Sequence, residues 1–135
     1  MLAKKPDSNV TFGSAGNGSS NHLSGELLHA LTGTKMTHIP YRGSAPALTD
    51  LLAGSTTFMF DTFNTTMSRI ESGNLRALAV TSPQRSQFLP NVPTMDEAGV
   101  GGYADAGGEL WWGVVGPAQI PQATMERLNT ALREA

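Results

Sequence analysis

The sequence predicts an α/β domain, a mostly parallel sheet with helices on both faces. Three observations carry this reading. Short apolar stretches alternate with amphipathic ones along the first 80 residues. The apolar stretches lack polar alternation, with Phe58, Met59 and Phe60 running unbroken, as in strands buried on both faces. Most amphipathic stretches end on glycine, the usual helix stop.

The elements follow in order. "VTFG" reads as a strand. "SSNHLSGELLHALTG" reads as a helix, with Leu23, Leu27 and Leu31 at i, i+4, i+8 as its apolar face and Gly33 as its stop. "KMTHIPY" is strand-like. "SAPALTDLLAG" is a helix capped by Ser44, with Pro46 in its first turn and Gly54 as its stop. "TTFMFD" is a strand, "NTTMSRIESG" a short helix ending at Gly73, and "LRALAVTS" a strand again. A Pro-punctuated crossing, "SPQRSQFLPNVP", leads to "TMDEAG", a short helix with a capping box from Thr94 to Glu97. "GELWWGVVGP" reads as an odd strand, and Pro121 starts a last helix. The expected core is Phe12, Leu27, Ile39, Leu51, Phe58, Phe60, Leu78 and Val80.

With 135 residues the chain is long enough for one domain with a real core. Hydrophobic content of 39% against 15% charged residues excludes a disordered chain. The net charge is −2 and there is no basic stripe, so nucleic acid is not expected as a partner. No apolar run approaches the ~20 residues of a membrane helix. The absence of cysteine removes disulfides and thiolate metal sites, and fits an exported bacterial protein. "MLAKKPDSNV" has no apolar segment of the kind a signal peptide needs. Both ends read as cut: "LAKKP" as the tail of an earlier helix, the last fifteen residues as a helix without a stop.

In a parallel sheet, ligands bind beyond the carboxyl ends of the strands. The first strand delivers Gly13 to Ser20 to that edge, the second Tyr41, Arg42, Gly43 and Ser44, the third Asp61 and Thr62, the fourth Thr81 and Ser82. These sets lie at helix N-termini, where free N–H groups, hydroxyls and positive dipole ends suit a carboxylate. The glycine loop "GSAGNGSS" is either an anion cradle or a tight strand-to-helix turn. It has no lysine before the serines, so it is not a P-loop, and neither the G-x-G-x-x-G nor the G-x-S-x-G order is present. His22, Glu26 and His29 share a helix face at i, i+4, i+7; a solvated polar face accounts for them better than zinc, and no metal or cofactor is expected. His38 has no evident acid partner and reads as structural. Of Trp111 and Trp112, which alternate faces in the expected strand, one reads as core and the other as a cleft wall.

Five stretches together resemble one family: the loop "FGSAGNGSS", "HIPYRGSAPALTDLLAG", "FMFDT", "GNLRALAVTSPQRSQFLPNVPTMDEAG" and "WWGVVGPAQIP". They are similar to the substrate-binding proteins of tripartite tricarboxylate transporters, the Bug family, from about Val10 to the C-terminus. The resemblance implies one lobe of a periplasmic two-domain receptor that closes like a flytrap around small organic acids and passes them to a membrane permease. Residues 1–135 would be the second domain, with 121–135 leading back to a first domain outside this chain. It further implies an anion cradle of Ser14, Ala15, Gly16, Asn17, Gly18, Ser19 and Ser20, a second wall of Tyr41, Arg42, Gly43 and Ser44, and Asp61 as a polar contact at the floor. Two other readings stand beside it. One is a small hydrolase or transferase using a serine with His38 and Asp61. The other is an interaction module that forms a homodimer through its exposed face.

Overall fold

The structure, a computed structural model, describes residues 9–107 and 113–134. Three strands form a wholly parallel sheet: β1 (Thr11–Ser14), β2 (Thr37–Pro40) and β3 (Phe58–Met59), in the order β2-β1-β3. Phe12 stands beside His38 on one side and Phe58 on the other. The connection β1–α1–β2 runs outward from the central strand to one edge, and β2–α2–β3 crosses back over it to the other edge, with α1 over Ser20–Thr32 and α2 over Ser44–Leu52. The point where the strand order reverses therefore lies between the carboxyl ends of β1 and β3.

The two helices cover opposite faces of β1, because neighbouring side chains of a strand point in opposite directions. Phe12 is fully buried under Gly25 of α1; a Cβ on Gly25 would clash outright with the Phe12 ring. Gly13 turns the other way, where a Cβ would meet Ala47 of α2 at 3.6 Å. This explains a departure from expectation in α1. The residues that α1 buries are Asn21 and Gly25, while Leu23 is 59% exposed and Leu31 is also exposed. The leucine stripe is not the packing face, because the Phe12 ring already occupies the space a leucine would need.

The helix ends follow local chemistry. Ser19 caps α1, its Oγ accepting the His22 amide at 3.3 Å, and Gly33 closes the helix at φ 63°. In α2 the cap is Gly43 at φ 114°, so Ser44 is the first helical residue and not the cap. α3 (Phe63–Glu71) starts after Thr62, and Gly73 lies just past its end. α4 spans Gln122–Glu134, and all of its residues are exposed.

Beyond α3 the sheet does not continue as expected. "LRALAVTS" forms no strand and makes one parallel bridge, Val80 to Thr94. Leu78, placed in the core by sequence, is 65% exposed, because no neighbouring strand covers it. Of the other expected core residues Phe12 and Val80 are buried, and Leu27, Ile39, Leu51, Phe58 and Phe60 are half-buried. "TMDEAG" is a succession of turns and not a helix, yet its capping box is made: Thr94 N–H donates to Glu97 Oε2 at 2.9 Å and Glu97 N–H to Thr94 Oγ1 at 3.1 Å. Arg85 Nε adds a 2.7 Å bond to the same Glu97 oxygen, and these donors hold the Glu97 carboxyl below the ordinary range. The expected strand through Trp111 and Trp112 falls mainly outside the described residues, and Gly113–Pro117 has no strand.

Tyr103 completes the core. It is fully buried, stacks on Phe60 at 6.0 Å and donates from its hydroxyl to the Ser24 carbonyl at 3.0 Å. Burial pushes its phenol up. A single aromatic thus pins the 100–107 turn onto α1.

Candidate functional site

Where the strand order reverses, Ser20, Asn21 and Ser24 of α1 face Phe60, Asp61, Thr62 and Thr81 across a cleft of about 50 Å³. That space suits one carboxylate-sized head group or a water or two. The first two amides of α1, Ser20 and Asn21, make no hydrogen bond to another described residue. With the positive end of the helix dipole behind them, they are ready donors for an oxyanion. Four hydroxyl-bearing residues, Ser20, Ser24, Thr62 and Thr81, line the same space. The Asn21 side-chain amide donates to the Phe60 carbonyl and ties the helix start to the end of β3. Asp61 Oδ1 accepts the Thr62 amide at 2.9 Å, while its Oδ2 is buried without a partner among the described residues.

The glycine loop sits beside this cleft and is closed on itself. Gly16 N–H donates to Ser14 Oγ at 3.1 Å, and Ser19 N–H and Oγ both donate to the Gly16 carbonyl, at 3.2 and 2.7 Å. Gly18 N–H donates to His22 Nδ1 at 3.0 Å. Gly16 and Gly18 have φ of 130° and 77°, a region only glycine enters easily, so the loop needs glycine at both positions. The second wall joins the loop through backbone: Tyr41 N–H donates to the Ser14 carbonyl at 3.0 Å and Gly43 N–H to the Ala15 carbonyl at 3.2 Å. The Tyr41 hydroxyl is committed to Asp50 Oδ2 at 2.8 Å, which raises its phenol. Arg42 and Asn17 are exposed, and Ser44 begins α2.

Thus, of the residues singled out by sequence, Ser20, Asp61, Thr62 and Thr81 line the cleft, while Ser14 to Ser19 and Tyr41 to Ser44 form the loops beside it. Asn21, Ser24 and Phe60 belong to the cleft and were not singled out. Asn21 and Ser24 sit at i and i+3 on the first turns of α1, a spacing that could have flagged them.

The histidines depart from the sequence reading. His22 does not stand on a solvated face: its ring stacks on His38 at 3.9 Å between centroids, with Phe12 next to His38 at 5.0 Å. His22 Nε2 lies 3.7 Å from Glu26, which also meets His29 at 3.6 Å. His38 Nε2 bonds Ser14 Oγ at 2.6 Å. Burial, and then His22, lower the His38 pKa. This serine–histidine pair has the atoms of a nucleophile and base, but Ser14 is fully buried and no substrate carbonyl reaches it.

A parallel sheet with an oxyanion-suited edge at its switch point defines an α/β domain with a candidate anion site. The chain belongs to the tripartite tricarboxylate transporter family receptors, whose family description matches residues 1–135. A protein from the TAR-I ttuE-ttuC' intergenic region of Agrobacterium vitis is 39% identical over 134 residues, covering 99% of this chain. This chain spans 38% of that relative's length. Among solved structures, the periplasmic binding protein BugD is 41% identical with a TM-score of 0.65, over 70% of this chain and 31% of that one. Rhodopseudomonas palustris Rpa4515 with adipate is 38% identical with a TM-score of 0.77, over 90% and 40%. MatC from the same organism, with bound malate, is 31% identical with a TM-score of 0.66, over 70% and 32%. Family and neighbours are binding proteins, and two of these neighbours hold dicarboxylates.

Proposed function

We propose that this chain is the carboxylate-binding lobe of a periplasmic receptor that captures small organic acids for a tripartite tricarboxylate transporter. The observation that carries the reading is the pair of free amides of Ser20 and Asn21, on two residues that line the cleft at the switch point. The adipate and malate held by similar proteins support a dicarboxylate as the ligand class. In this reading Ser14 to Ser20 and Tyr41 to Ser44 form the two walls and Asp61 the floor. A second domain of the same receptor supplies the opposite jaw, with residues 121–135 leading towards it, and a membrane permease receives the acid.

Half a jaw leaves water in contact with the ligand, so affinity for the chain by itself is expected on the order of millimolar, ~4 kcal/mol. A calorimetric panel of adipate, malate, a monocarboxylate and a neutral diol tests the reading. The diacids should bind and the diol should not. Equal heats for all four, or none for the diacids, would overturn it.

A further inference from the structure

We propose that anion binding at the glycine loop is linked to proton uptake by His22, which acts as a positioning residue for the loop. The proposal rests on the carboxylate reading above and adds a proton to it. Three of the loop's amides are satisfied internally: Gly16 by Ser14, Ser19 by Gly16, and Gly18 by the imidazole of His22. Of these three acceptors only His22 Nδ1 can be removed by a proton. While Nδ1 accepts the Gly18 N–H, the ring carries its proton on Nε2, which faces Glu26 at 3.7 Å. A second proton on Nδ1 sets N–H against N–H. The imidazolium Nδ1–H and the Gly18 N–H are then two donors at one place on the loop with no acceptor between them. A carboxylate seated there accepts both and neutralises the new charge.

The groups around the ring set the balance. From α1, Glu26 lies 3.7 Å from His22 Nε2, and His29 shares the same carboxylate at 3.6 Å. From β2, His38 stacks on His22, so the pair holds one proton far more readily than two. From β1, Ser14 bonds His38 Nε2 and Phe12 stacks beside it, both uncharged. Burial, and then His22, lower the His38 pKa. No other charged side chain among the described residues pairs with either ring.

The test is an amide-resolved NMR titration of the full chain with fumarate, whose carboxyl groups stay ionised throughout, between pH 7.5 and 5.5. Affinity should rise about tenfold as the pH falls, within the range of ordinary couplings. By reciprocity the His22 ring should titrate at a higher pH with fumarate bound than without it. His22→Asn places a neutral acceptor near the position of Nδ1 and should abolish the rise, whereas His29→Gln should keep it. Fumarate binding that is flat or weaker at pH 5.5, an unmoved His22 titration, or a rise that survives in His22→Asn would overturn the proposal while leaving carboxylate binding in place. No fumarate binding at any pH would overturn the carboxylate reading and this linkage together.

Discussion

Two residues in contact, Phe12 and Gly25, set how α1 lies on the sheet. The ring fills the space above β1, and only a residue without a side chain passes over it. Gly25→Ala should therefore destabilise by about 1–3 kcal/mol, an overpacking cost, although alanine is the better helix former. Phe12→Leu on top of it should recover part of the loss, and a double-mutant cycle by urea unfolding measures the coupling. Ser19→Ala is expected to cost about 1 kcal/mol by removing the cap of α1. The site shows the limits of reading single residues. Ser20 and Asp61 were legible because strand ends and helix starts are. The His22–His38 stack was not, since it depends on the strand register that sets His38 beside Phe12.

At the scale of elements, β1, α1, β2, α2, β3 and α3 were all readable from apolar runs, caps and glycine stops. What failed needed tertiary information. "LRALAVTS" has the composition of a strand, but β3 does not pair with it among the described residues, and Leu78 is left in water. The 80–97 turn is instead held by Glu97, bonded to Arg85 and Thr94. Its carboxyl is lowered in the folded state, so its contribution is complete above the ordinary value near pH 4.5 and is lost as the pH falls below that through the folded value. The protection factor of the Thr94 amide should fall on acidification, and Glu97→Gln should remove that acid dependence. α4 exposes Met125, Leu128 and Leu132 on one stripe. In a monomer its amides should exchange fastest among the helices. Strong protection in a monomer, measured by hydrogen exchange with light scattering, would contradict that arrangement.

For the whole molecule, the order β2-β1-β3 matters most, because it creates the switch point and brings the start of α1 to the end of β3. The alternation of elements made the parallel sheet legible, and the glycine loop marked the edge proposed to take the ligand. The cleft itself was not legible, since Asn21, Ser24 and Phe60 meet there only once the strands are ordered. The central claim is that this edge takes a carboxylate. It is tested most directly by titrating the labelled chain with adipate and mapping the amide shifts. The account predicts saturable shifts centred on Gly18 to Asn21 and Asp61 to Thr62, with Lys35 and α4 unmoved. Saturable shifts elsewhere with this edge silent, or no shifts at ligand concentrations of tens of millimolar, would contradict it.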